Sequence, residues 1–163
     1  MNGRNEMATR YDASFATEII NAFDARPEML VQILHAFVAR YSFVSNEAIV
    51  QIADELNLSR ADVHGVVSFY HDFRTKAPGK HVLKICQAES CQAMGSRSLT
   101  AHAEEILGIA MNETTDDGET TLEPVYCLGN CACSPAVMID DEVYGRVDAS
   151  KLDALLAGKG VRR

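Results

Sequence analysis

The sequence predicts an α+β protein, with a helical bundle as its N-terminal half and a small α/β unit as its C-terminal half. Three observations carry that prediction. Apolar residues recur at helical spacing through roughly the first seventy positions, with capping residues between the runs. The pattern stops at Lys76-Ala77-Pro78-Gly79-Lys80, a linker-like stretch. Beyond it, two β-like runs (residues 81–85 and 121–126) each lead into a pair of cysteines. The expected division is residues 1–10 as a polar, disordered N-terminus, 11–77 as the bundle and 78–163 as the α/β unit.

Residues 11–23 read as an amphipathic helix, with Asp12 or Ser14 as N-cap and Phe15, Ile19, Ile20 and Phe23 on one stripe. Pro27 suits the first helical position of the next run, where its missing N–H costs nothing. Met29, Leu30, Ile33, Leu34, Phe37 and Val38 then recur at helical spacing up to Arg40. A third helix starts near Ser45 and carries Ile49, Ile52, Ala53 and Leu56. After the turn at Asn57-Leu58, Ser59-Arg60-Ala61-Asp62 opens a fourth helix as a capping box in which Asp62 replaces the usual Glu or Gln. Phe69, Tyr70 and Phe73 close this half, as core residues or as an apolar patch for a subunit contact.

Helices three and four form a helix–turn–helix pattern, which raises the possibility of DNA binding. The chemistry opposes it. A recognition helix offers several Arg, Lys, Asn or Gln side chains to base edges, whereas this one offers Arg60, Asp62 and His64 followed by apolar residues. The net charge of −8 also opposes phosphate binding. The first 80 residues carry 8 basic and 10 acidic groups, the remainder 7 and 13, so the cysteine half is the acidic half. No nucleic-acid partner is expected.

At 163 residues and 47% hydrophobic content the chain can bury a real core. No window approaches the ~18 consecutive apolar residues of a membrane span, and the first residues lack a secretory layout. The expected location is the cytoplasm, without membrane insertion, where thiols stay reduced. Five cysteines, an odd number, fit a metal or redox site better than a disulfide framework.

In the second half, a helix over residues 93–107 would turn Leu99, Ala103, Ile106 and Leu107 inward. The polar stretch 111–119 reads as a surface connection. Residues 136–139 and 143–147 flank Asp140-Asp141-Glu142 as a hairpin, and Asp148 caps a final helix with Leu152, Leu155 and Leu156. This β-α-β then β-β-α order is the thioredoxin arrangement, and Pro135 stands where that fold keeps a cis-proline.

The thiols are spaced C-x4-C (Cys86, Cys91) and C-x3-C (Cys127, Cys131), with 35 residues between the pairs. Zinc ribbons prefer C-x2-C knuckles, and a thioredoxin-type C-x-x-C is absent. A Rieske centre needs histidine ligands, and none of the five histidines neighbours the cysteines in that way. Ligation by four cysteines is the usual [2Fe–2S] shell. A helix following Cys91 would aim its N-terminus at such a site, and Gly95 and Gly129 would let backbone amides approach sulfur. Cys133 is a spare thiol, or on spacing alone an alternative to Cys131 as ligand. A four-cysteine zinc module, a redox-sensing binding protein and a free ferredoxin stay open at this point.

The C-x4-C and C-x3-C pairs, the Leu128-Gly129 between ligands, the trailing Ser134-Pro135 and the upstream Val66-Val67-Ser68-Phe69-Tyr70-His71-Asp72-Phe73 together resemble one family. It is the family of the thioredoxin-like [2Fe–2S] ferredoxin subunit of NADH:quinone oxidoreductase, over about residues 14–157. The resemblance implies one [2Fe–2S] cluster on Cys86, Cys91, Cys127 and Cys131, with Cys133 at a position that need not be cysteine. It implies an electron-transfer subunit without a substrate site of its own. Its partners would be an FMN- and NAD-binding iron–sulfur subunit and a large catalytic subunit. The same subunit type serves NAD-reducing hydrogenases and NAD-dependent formate dehydrogenases. The loop Cys86-Gln87-Ala88-Glu89-Ser90-Cys91-Gln92-Ala93-Met94-Gly95 looks most like the gamma subunit of the soluble molybdenum formate dehydrogenase. FMN, NAD and the molybdenum cofactor would then sit on partner subunits only.

Overall fold

The computed structural model describes residues 11–161. Residues 1–10, expected from their polarity to be disordered, lie outside the described residues. The chain divides between Ala77 and Pro78 into two units.

Among the described residues, the first unit holds four α-helices. Helix α1 (Ala13–Asn21) is capped by Asp12, whose carboxylate accepts from the amides of Ser14 at 2.9 Å and Phe15 at 3.3 Å. It stops two residues short of the expected Phe23, because Asp24 and Ala25 take positive φ and turn the chain. Pro27 opens a 3-10 turn (Pro27–Met29), tightened by the Met29 amide on the Arg26 carbonyl at 2.9 Å, and α2 (Leu30–Tyr41) follows. The second helix therefore begins three residues after the proline. Ser45 caps α3 (Asn46–Leu56), and Ser59 with Asp62 forms the full capping box of α4 (Arg60–Phe69).

These helices enclose a core in which Ile20, Ile33, Leu34, Phe37 and Ile52 are fully buried. Each such side chain stabilises the unit by about 1.5–3 kcal/mol relative to exposure. The three aromatics at the end of this half separate. Phe73 is 3% exposed and packs edge-on to His35, while Phe69 is 74% and Tyr70 44% exposed. The cause is local: α4 ends at Phe69, Tyr70 is extended, and a turn closed by the Phe73 amide on the Tyr70 carbonyl carries Phe73 back into the core.

The second unit is a four-stranded sheet in the order β2-β1-β3-β4. Strand β1 (His81–Cys86) pairs in parallel with β2 (Thr120–Val125), from His81 opposite Thr120 to Cys86 opposite Val125. On its other side β1 meets β3 (Ala136–Ile139) antiparallel, and β3 makes a hairpin with β4 (Glu142–Gly145). Strand β2 is at the edge, which is where Pro124, lacking an N–H, can be tolerated. The polar connection is less free than a bare surface loop. The Asn112 amide donates to the Leu122 carbonyl at 2.8 Å and the Leu122 amide to the Glu113 carbonyl at 3.0 Å, so it covers part of that edge.

The helix expected over 93–107 is α6 (Ser96–Leu107), starting three residues later, and a separate short helix that was not expected, α5 (Glu89–Ala93), precedes it. Gly95 divides them at φ +101, a conformation that a side chain strongly disfavours. The final helix α7 (Ala149–Gly158) is capped by Asp148, which accepts from the Lys151 amide at 2.8 Å. Leu83, Ile85, Leu99, Leu122, Val137 and Leu152 form the core beneath the sheet. Among the described residues no helix is long and apolar enough to cross a membrane.

Candidate metal centre

Because β1 and β2 are parallel neighbours, the loops that follow them leave the same end of the sheet. Cys86 is the last residue of β1 and Cys91 lies inside α5; both are 2% exposed. Cys127 and Cys131 follow β2 and are exposed, and Cys133 is half-buried in a 3-10 turn (Cys131–Cys133). The Ser134–Pro135 peptide is cis, at the position the thioredoxin arrangement requires.

The thiols approach one another as two pairs. Cys127 Sγ and Cys131 Sγ are 3.8 Å apart, and Cys86 and Cys91 lie close enough to shift each other's ionisation. Two thiolates on one tetrahedral metal at ~2.3 Å stand about 3.8 Å apart, so the second pair already has the span of two ligands on a single ion. Among the described residues, no three His, Cys, Asp or Glu side chains converge on one ion.

Backbone amides point at the sulfurs. The Gly129 amide donates to Cys127 Sγ at 3.3 Å, the Ala88 and Leu128 amides reach Cys86, and the Ala136 amide reaches Cys91. Leu128 belongs to the second loop, so it ties that loop to the first pair. The amides of a helix beginning after Cys91 were expected here. Instead Cys91 lies within α5, and the Gly95 amide donates to the Gln92 carbonyl at 3.1 Å. Ser96, at the start of α6, reaches the site through its hydroxyl, which donates to the Cys86 carbonyl.

The electrostatics differ between the thiols. Burial pushes the Cys86 thiol up, and its contact with Cys91 adds to this against the lowering amides of Ala88 and Leu128. Burial acts upward on Cys91 too, but the Ser134 hydroxyl, the Ala136 amide and Cys86 outweigh it and hold Cys91 low. Cys131 is pushed up by its hydrogen bond to Cys127 and that neighbour's charge, then by burial and by Cys91. Thiols that oppose each other's ionisation are what a bound cation relieves. The backbone of Cys127, at φ 133, lies in a sparsely populated region that costs on the order of 1–3 kcal/mol.

Ser134 and Ser90 are residues that sequence reasoning missed. Ser134 Oγ is 3.4 Å from Cys91 Sγ, and Ser90 Oγ is 2.9 Å from Ser134 Oγ. The signal was present: one serine lies between the two ligands of the first pair, and the other adjoins the expected cis-proline.

The model of the thioredoxin-like [2Fe–2S] ferredoxin family matches residues 16–159. The chain belongs to this family. A subunit of the NADH-quinone oxidoreductase of Pseudomonas aeruginosa is 38% identical over 114 residues, which are 70% of this chain and 69% of that protein. The HndA subunit of the NADP-reducing hydrogenase of Solidesulfovibrio fructosivorans is 29% identical over 143 residues, 86% of this chain and 84% of that protein. Among solved structures, an NAD+-reducing [NiFe]-hydrogenase in the H2-reduced state matches 83% of this chain at 24% identity, with a TM-score of 0.69. This chain spans 22% of that one, and the likeness is one of fold. A [2Fe–2S] cluster takes four cysteine thiolates, and hydrogen bonds to the sulfurs tune it. The donor set and its hydrogen bonds fit that group.

Proposed function

We propose that the chain is a one-electron carrier, an electron-transfer subunit of a multi-subunit NAD-linked oxidoreductase. In this reading Cys86 and Cys91 hold one iron of a [2Fe–2S] cluster, Cys127 and Cys131 hold the other, and Cys133 stays unligated. The single observation that carries it is the pairing of the thiols at the ends of two parallel strands, with 3.8 Å between Cys127 and Cys131. The C-x4-C and C-x3-C spacings of the pairs speak against a structural zinc, whose knuckles are typically C-x2-C. When bound, the cluster supplies a centre that accepts and releases one electron. The protein does the rest. The sheet core and α5 exclude water from Cys86 and Cys91, amides of Ala88, Leu128, Gly129 and Ala136 stabilise sulfur charge, and the exposed second pair faces an incoming partner.

The partners in this reading are an FMN- and NAD-binding iron–sulfur subunit and a large catalytic subunit, in a cytoplasmic or cytoplasm-facing complex. The names of the relatives support an NADH-quinone oxidoreductase host or a nicotinamide-linked hydrogenase host. One observation favours a second reading, the gamma subunit of a molybdenum formate dehydrogenase: the loop from Cys86 to Gly95. Anaerobic purification tests the core claim. About two irons and two acid-labile sulfides per chain with a red-brown absorbance are expected, and a colourless protein holding zinc would overturn it. The large chains that co-purify separate the hosts.

A further inference from the structure

Ser134 is 8% exposed and sits between the two cysteine pairs. Its hydroxyl lies 3.4 Å from Cys91 Sγ and 2.9 Å from the Cys131 carbonyl. Ser90 Oγ is 2.9 Å from Ser134 Oγ and 3.3 Å from the same Cys131 carbonyl. Two hydroxyls therefore face two acceptors, one from each pair. We propose that the Ser90–Ser134 hydroxyl pair is a shared donor that commits the Ser134 hydrogen to the Cys91 sulfur and so raises the reduction potential of the bound cluster. The inference rests on the cluster reading above and names the residues that tune it.

The number of protons limits these bonds. Each serine has one O–H, so Ser134 can serve the sulfur or the carbonyl, not both. While Cys91 is a thiol, it can donate to Ser134 Oγ, and the Ser134 hydrogen is free for the Cys131 carbonyl. As a metal-bound thiolate Cys91 has no proton and only accepts, so the Ser134 hydrogen turns to it. The Cys131 carbonyl would then lose its donor, but Ser90 lies within reach to replace it. Losing a donor to a polar group costs more than the bond itself is worth, which is why the second hydroxyl matters. A hydrogen bond to sulfur favours negative charge there, and one-electron reduction adds negative charge, so the reduced form gains more. The electron comes from the partner subunit. The hydroxyls stay protonated in both redox states, so no proton moves with it.

The Ala136 amide also points at Cys91, but a backbone donor is fixed in place. Ser134 differs because its hydrogen can be redirected, and Ser90 determines how much of it reaches the sulfur. Ser134 is thus a positioning residue with an electronic readout rather than a packing residue alone.

The test uses the full chain, with iron and sulfide measured first and the potential then determined by redox titration followed by visible absorbance and electron paramagnetic resonance. Ser134→Ala should lower the equilibrium constant for one-electron reduction by about tenfold, equivalent to about 59 mV toward negative potential. Ser90→Ala should shift it in the same direction by less. The double variant should fall no lower than Ser134→Ala, because Ser90 acts only through Ser134. Ser134→Thr, which keeps the hydroxyl, should restore the wild-type value. A Ser134→Ala protein with full iron and sulfide and an unchanged potential overturns the inference and leaves the cluster reading intact. Should Ser134→Ala take up no iron, Ser90→Ala decides: a negative shift supports the shared donor, and an unchanged potential overturns it. Wild-type protein without iron would instead reject the cluster reading itself.

Discussion

The two cysteine pairs share a chemistry and differ in their surroundings. Cys86 and Cys91 are as buried as the core around them, whereas Cys127 and Cys131 are open to solvent. The first pair is built from the end of the central strand and a short helix, so its sulfurs are part of the packing. The second pair stands on a loop whose backbone is strained at Cys127. The difference separates two tasks. Burial sets how charge on the site is stabilised, and exposure sets which surface a partner can approach.

The largest expected effect separates the pairs most sharply. Cys86→Ser and Cys127→Ser should both abolish normal cluster content, but only the first should weaken the folded apo-protein. Placing a hydroxyl at the buried position costs about 1–3 kcal/mol, while an exposed substitution stays within roughly 0.5 kcal/mol. Thermal unfolding of the iron-free variants checks this, and equal losses of stability would break the distinction.

A smaller effect is expected at Gly145, on β4 behind the second loop. A Cβ there would lie 2.6 Å from Asn130 Nδ2, 2.6 Å from Cys133 Cβ and 2.8 Å from the Cys133 carbonyl oxygen. Gly145→Ala should therefore push the Cys127–Cys131 side outward, costing about 1–3 kcal/mol as overpacking does. Faster iron release to a chelator, with the β1–β2 half of the sheet unchanged in hydrogen exchange, is the expected result. Wild-type retention of iron would show that the second loop is less constrained than its contacts indicate.

The smallest effect concerns Cys133. Cys133→Ser should leave iron content and visible spectrum unchanged; loss of the cluster would move the fourth ligand from Cys131 to Cys133.

Much of this was legible along the chain because it is local. Asp12, Ser45, Ser59 and Asp148 announce helix starts through the short polar side chain that a free amide needs, and all four cap helices in the structure. The four cysteines could be grouped because each pair is close in sequence. The short helix α5 was harder to read, since Glu89-Ser90-Cys91-Gln92-Ala93 carries no apolar period and lies inside the cysteine loop. Phe69 and Phe73 have the same residue type and helical spacing, yet the end of the helix between them sends one to solvent and the other to the core. The meeting of Ser134 with Cys91 joins residues 43 positions apart. Such a contact is a product of the sheet order, which periodicity does not encode.

The six-residue parallel register of β1 with β2 acts as a ruler. It sets where each loop departs, so the distance between the pairs is fixed by strand alignment and not by the length of chain that joins them. An extra residue in the connection between α6 and β2 leaves that strand register unchanged, at the expense of the bonds that join Asn112 and Glu113 to Leu122. One extra residue inside β1 would advance the first pair by about 3.3 Å and turn its leading cysteine to the opposite face of the sheet. The long interval between the two motifs can thus vary among sequences that build the same centre, while the strands that end in them cannot slip.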